Sequence, residues 1–184
     1  MISIYELLSL IYGDFILKLS NKIIEFVISE VAGLDVVPLV QSLKNKKNVS
    51  EFKLAENIGK EVNTARNMLY RLYDHNLVSF IRRKDKKKGW YIYYWTFNLK
   101  RIRGLFIALK KQRLEKLKER VNRENENTFF ACTNQCMRLD FERATNFEFK
   151  CPECGELMNQ EDNTKKIQNI EKEIKDIEKE LKNK

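Results

Sequence analysis

The four cysteines of this 184-residue chain fall in two close pairs, Cys132 with Cys136 and Cys151 with Cys154, and no other cysteine occurs. That spacing is what a tetrahedral metal ion asks for: four deprotonated sulfurs at roughly 2.3 Å, supplied most simply by two tight turns of two thiolates each. One structural zinc ion is therefore expected, since four thiolates leave no open position for a reacting water. The second turn reads Lys150-Cys151-Pro152-Glu153-Cys154-Gly155. Pro152 presets its bend, and Gly155 admits the positive φ that turns backbone amides toward the sulfurs. The first turn is looser, with Thr133, Asn134 and Gln135 between its cysteines and no Gly or Pro after it. Disulfides would suit an exported chain, but Glu6 and Asp14 interrupt the apolar start and no basic residue precedes Lys18, unlike a signal peptide. A Cys-x-x-Cys redox motif normally opens a helix, whereas Cys151 follows Phe147, Glu148 and Phe149, a run that reads as a strand.

With 43% hydrophobic residues, the chain has enough apolar material for one modest core and a small metal-stapled module. No apolar run reaches the length of a membrane span, so a soluble protein without membrane contact is expected. The net charge of +9 is unevenly placed. Arg82, Arg83, Lys84, Lys86, Lys87 and Lys88 crowd around Asp85 alone, and the stretch 100–123 is also rich in Lys and Arg, while the cysteine segment is mildly acidic. A positive face for a polyanion follows.

Period and capping residues give the organisation. Residues 1–20 form an apolar extension with Gly13 and Asp14 in its middle, read as a short helix and a turn. Asn21 is placed to cap a helix over 22–31, and a second helix covers 36–43 before a polar loop over 44–48. Ser50 caps a short helix ended by Gly59, and Asn63 caps a longer one over 64–75 that buries Ala65, Met68, Leu69 and Leu72. The period then changes to two. Stretches 77–83 and 89–97 read as strands joined by the basic tip, which makes 21–98 a winged helix-turn-helix. A basic linker helix over 99–126, a zinc ribbon over 127–160 and a C-terminal amphipathic helix over 161–184 complete a fold that is mainly α with small β. In the last helix Ile167, Ile170, Ile174, Ile177 and Leu181 mark a short heptad seam, open to a partner or left as a solvated tail.

Trp90, Tyr91, Tyr93, Tyr94, Trp95 and Phe97 put rings on both faces of the second strand, and only one face can lie on the helices. Rings on the other, beside the lysine tip, suit stacking of unpaired bases. A sequence-specific regulator is the alternative, with Arg66, Asn67 and Arg71 turned to base edges. An enzyme fits poorly. The single histidine, His75, ends a helix, and neither a phosphate loop nor a nucleophile–base pair is present.

The wing Gly89-Trp90-Tyr91-Ile92-Tyr93-Tyr94-Trp95, the helix Asn63-Thr64-Ala65-Arg66-Asn67-Met68-Leu69-Tyr70-Arg71-Leu72-Tyr73, the basic linker and the ribbon ending at Gly155 together resemble archaeal transcription factor E, the counterpart of the eukaryotic TFIIE alpha subunit, over residues 21–160. The resemblance implies a non-catalytic initiation factor of the archaeal cytoplasm and nucleoid. Its winged helix would lie over the polymerase cleft, touching the RNA polymerase clamp and the non-template strand, with the ribbon nearer the stalk. It would act with TBP and TFB, and with a beta partner in some cases. By the same resemblance Lys86, Lys87, Lys88, Trp90, Tyr91 and Tyr93 form the wing, and the four cysteines hold zinc. The longer first turn, residues 1–20 and the tail beyond 160 depart from the family pattern.

Overall fold

The computed structural model describes residues 20–86 and 89–182, so the apolar extension 1–19 and the wing lysines Lys87 and Lys88 lie outside the described residues. These form two compact units that divide after Ile107. No helix among the described residues is long and apolar enough to cross a membrane.

The first unit opens with α1 (Asn21–Ala32), whose first turn is capped one residue earlier than expected: the Ser20 hydroxyl accepts from the Ile23 amide. Asn21 is otherwise engaged, its side-chain Oδ1 accepting from Lys44 Nζ at 2.6 Å. Gly33 ends the helix at φ +100, a conformation that side chains rarely adopt, and a Cβ there would lie 2.7 Å from Asp35 Oδ1, which would have to shift. A 3-10 turn (Leu34–Val36) then leads into α2 (Val37–Leu43), the helix expected over 36–43, with Pro38 accommodated in its first turn. The two-residue strand β1 (Val49–Ser50) is too short to show a period, and it precedes α3 (Glu51–Asn57), capped by Ser50 as expected. In α4 (Val62–Asp74), Glu61 occupies the cap position, and Asn63 accepts from Arg66 instead of capping.

The strands β2 (Val78–Lys84) and β3 (Tyr91–Phe97) pair antiparallel, and β1 adds to the other side of β3, so the aromatic strand is central. Residues of odd number on β3 share the face that meets α4. Trp95 is fully buried there, edged by Tyr70 and Tyr73 of α4 at 6.1 and 6.4 Å and tilted against Phe80 at 5.0 Å. The helix α5 (Leu99–Glu126) starts in this unit, where Ile102 and Phe106 are buried and Phe106 meets Phe26 edge-on at 5.8 Å.

Two arginines of α4 are held within the unit. Arg66 grips the buried Glu51 carboxylate through two bonds of 2.8 and 3.1 Å. Arg71 donates to the Ala32 carbonyl at 2.7 Å, closing the end of α1, and pairs with Asp35, whose carboxyl it holds below the usual range. The base-reading role allowed to them in the sequence is therefore disfavoured: reading a base would cost each its internal partner.

In the second unit β4 (Phe129–Cys132) lies between β5 (Arg138–Asp140) and β6 (Met158–Gln160). A short helix α6 (Phe141–Asn146), capped by Asp140, follows β5. The run 147–149, read as a strand, is instead a turn in which Glu148 and Phe149 take φ of 52 and 56. It folds because the amide of Phe149 donates to Ala144 and its carbonyl accepts from Met158. Cys151 thus follows a turn and does not open a helix, as a redox Cys-x-x-Cys would.

The final helix α7 (Thr164–Lys182) runs antiparallel to the later turns of α5: Lys110 pairs with Glu180 near one end, and Asn163 donates to the Glu124 carbonyl at the other. Ile170 and Ile177 are buried with Leu114 and Leu117, flanked by Val121, Ile174 and Leu181. Both expectations for the heptad seam give way, because its apolar partner is the linker helix of the same chain. Arg66→Ala should lower stability in a urea melt by about 3 kcal/mol, leaving the Glu51 carboxylate buried and unpaired. The exposed Asn67→Ala should change it by less than about 0.5 kcal/mol.

Candidate metal centre and nucleic-acid interface

The wing is a ribbon with consecutive cations at the end of β2 and rings along β3. Register places Lys84 opposite Tyr91 and Arg82 opposite Tyr93 on one face, and Arg83 opposite Ile92 with Ile81 opposite Tyr94 on the other. Arg82 sits over the Tyr91 ring at 4.9 Å and Arg83 over Tyr94 at 5.5 Å. The tip closes by a bond from the Asp85 amide to the Trp90 carbonyl, with Gly89 at φ +77. Trp90 and Tyr91 are each 53% exposed, and Arg82, Arg83, Lys84 and Lys86 are exposed around them.

Tyr93 differs from these two. It stacks on Trp95 at 6.4 Å and meets Phe80 edge-on at 5.1 Å, so core packing accounts for much of it. Of the three rings put forward from the sequence, two stand at the tip and one belongs to the cluster at its base. The signal was available, since Tyr93 shares the parity of Trp95 and Phe97.

In the second unit the four cysteine sulfurs lie within 4.8 Å of one another. A tetrahedral site with bonds of about 2.3 Å needs sulfurs about 3.8 Å apart, so small adjustments complete it. Each turn contributes one buried sulfur, Cys132 or Cys151, and one exposed, Cys136 or Cys154. The second turn follows its sequence: Gly155 takes φ +76 and donates to the Cys151 carbonyl at 2.7 Å. In the first, Gln135 adopts φ +57 and donates to Cys132, so the extra residue is absorbed by a left-handed position normally given to Gly.

The surroundings treat the thiols unequally. A bond from the Glu156 amide lowers Cys154 to about 7, and Asn134 donates to the same sulfur at 3.6 Å. Cys136 is pushed up to about 12 by its hydrogen bond with Cys154. Neighbouring thiols cannot all ionise against one another; a thiophilic cation removes that conflict, and the all-sulfur donor set fits one.

A feature that the sequence did not announce holds this ribbon to the helices. Arg138 of β5 stacks on Phe129 at 3.6 Å and donates to both oxygens of Glu124 on α5, at 2.6 and 3.0 Å, and to Glu161 ahead of α7. Glu124 is 6% exposed, and its hydrogen bond with Arg138 lowers its pKa below the ordinary 4.5. Lys166, and then Arg138, lower Glu161 likewise.

The TFIIE alpha subunit family signature matches residues 22–128. Among curated proteins, the chain is 36% identical over 153 residues to Transcription factor E of Pyrococcus abyssi, covering 83% of this chain and 80% of that one. It is 36% identical to the Thermococcus kodakarensis protein of that name, covering 84% of each, and 37% to that of Metallosphaera sedula, covering 78% of this chain and 86% of the relative. Among solved structures, a possible transcriptional regulator from Methanosarcina mazei Go1 aligns with TM-score 0.48 at 15% identity over 54% of this chain and 87% of that one, too distant to bear on function.

Elemental analysis of freshly purified protein should return one thiophilic divalent ion per chain. Cys151→Ser should abolish it and unfold the ribbon while the melting of the first unit persists. A carboxylate whose pKa falls on folding adds stability at pH above its unfolded value and loses it as pH drops through the folded one. Glu124→Gln should therefore cost about 2 kcal/mol at pH 7. The gap from wild type should begin to narrow near pH 4.5 and close below the depressed value.

Proposed function

Since the chain belongs to the TFIIE alpha family of transcription initiation factors, which are not enzymes, we propose that it helps RNA polymerase to open promoter DNA, with the wing engaging the separated non-template strand. The observation that carries this reading is the exposed pair Trp90 and Tyr91 beside Arg82 and Lys84 at the end of a ribbon anchored by Trp95. Unpaired bases offer faces for stacking, which duplex DNA keeps to itself, and the cations draw in the phosphates without reading sequence. The partners are the polymerase, through its clamp and stalk, with TBP and TFB at the promoter; a beta subunit is a further partner. Zinc is the metal we assign to Cys132, Cys136, Cys151 and Cys154, in a structural role, because four thiolates fill its coordination.

The regulator alternative loses support because Arg66 and Arg71, its best base readers, are bound to Glu51 and Asp35. On the proposed reading, duplex binding by the protein alone is weak, salt-dependent and indifferent to sequence.

Trp90→Ala/Tyr91→Ala should reduce permanganate reactivity of unpaired thymines roughly ten- to a hundredfold at a promoter carrying polymerase, TBP and TFB, as loss of about 1–3 kcal/mol of stacking implies. Polymerase binding should be retained. Tyr93 is left intact, since its loss would disturb the Phe80 and Trp95 packing. Full opening by the double variant would remove the wing from the mechanism.

A further inference from the structure

The helix α7 sorts its side chains by direction. Ile170, Ile174, Ile177 and Leu181 pack on α5. Beside that seam, Glu173, Glu178 and Glu180 pair with Arg113, Lys118 and Lys110. On the side turned away, Lys165, Lys172, Lys175, Lys179 and Lys182 are all exposed; Asp176 is the one acid there, and Glu171 borders it. Lys165, Lys172 and Lys179 recur every seven residues and so form one line, with Lys175 and Lys182 beside it. The five span about 25 Å at 1.5 Å per residue. No ion pair among the described residues engages any of them; the lysine that pairs with Glu161 is Lys166, at the edge of the seam.

Within the helix this segregation sets like charges side by side. Lys172, Lys175, Lys179 and Lys182 follow at steps of three, four and three, where like charges weaken a helix by about 0.2–0.5 kcal/mol per pair. Asp176 and Glu171, three or four residues from Lys172, Lys175 and Lys179, offset only part of this repulsion, and Glu173, Glu178 and Glu180 are committed to α5. An external polyanion relieves the repulsion.

We propose that this lysine stripe is a second nucleic-acid surface, separate from the wing, that lies along the phosphate backbone of duplex DNA without reading sequence. Its chemistry favours phosphate over an acidic protein. Every cation is a lysine, a point charge on a flexible stem that can follow a run of phosphates without fixing their orientation. Thr164, Gln168 and Asn169 are the other uncharged exposed residues of that side, so it holds no ring or aliphatic anchor around which a protein interface would form.

The test is the salt dependence of binding of the full metal-loaded chain to a labelled 30-base-pair duplex of arbitrary sequence. Lys165→Gln/Lys172→Gln/Lys179→Gln should lower the slope of log K against log salt by about 2–3 and the affinity at 0.1 M salt by roughly two orders of magnitude. Lys165→Arg/Lys172→Arg/Lys179→Arg, which keeps the charge, should retain the wild-type slope. Lys22→Gln/Lys46→Gln/Lys47→Gln, an equal loss of charge at exposed positions of the first unit, should change the slope by less than about one. Equal slopes for the two glutamine triples would reduce the effect to net charge and overturn the proposal. An unchanged slope, including one accompanied by weaker retention on polymerase, would also overturn it; in that second case the stripe is a protein contact.

Discussion

Everything that the first unit does with its wing rests on the burial of one ring. Trp95 lies on the central strand, covered on its helix side by Tyr70, Tyr73, Phe80 and Tyr93. Its indole N–H has no hydrogen-bond partner among the described residues, a penalty of about 1–3 kcal/mol. Burial of about 200 Å² of ring at about 25 cal/mol per Å² returns roughly 5 kcal/mol, and the surrounding edge-on contacts add to it. Packing therefore wins, and the ribbon emerges from a fixed base. The two exposed rings lie at the far end of that ribbon, Trp90 in the tip and Tyr91 as the first residue of β3.

The second unit reaches a fixed geometry by other means. Its sheets are strands of three or four residues, too little for a stable core without help. Four thiols on one side of the sheet and the Arg138, Glu124 and Glu161 network on the other supply what apolar burial cannot. Arg138 matters because one planar guanidinium joins β5, α5 and the start of α7 while lying on Phe129. Its two carboxylate partners are far from it in sequence, so no spacing rule could have paired them.

What the sequence made legible follows the same division between local and distant causes. The metal turns, the linker helix and the paired strands of the wing are set by residues within a few positions of one another, and they stand where pattern placed them. Strand β1 went unread because two residues carry no period. The turn at 147–149 went unread because alternating phenylalanines look like a strand until Ala144 and Met158 claim their backbone. Glu51 with Arg66 shows the same limit: a glutamate in the first turn of a helix suggests solvent and dipole, and only the fold buries it against an arginine fifteen residues away. The heptad seam of α7 was plain, but the identity of its partner was a tertiary fact.

The claim on which the functional account turns is that the tip rings meet an unpaired strand and not duplex or polymerase. A photo-crosslinking phenylalanine analogue at position 90, in a complete promoter complex with polymerase, TBP and TFB, tests it most directly. The account predicts crosslinks to the non-template strand inside the melted region, appearing only under conditions that permit opening. Crosslinks confined to polymerase, or to duplex DNA regardless of opening, would contradict it.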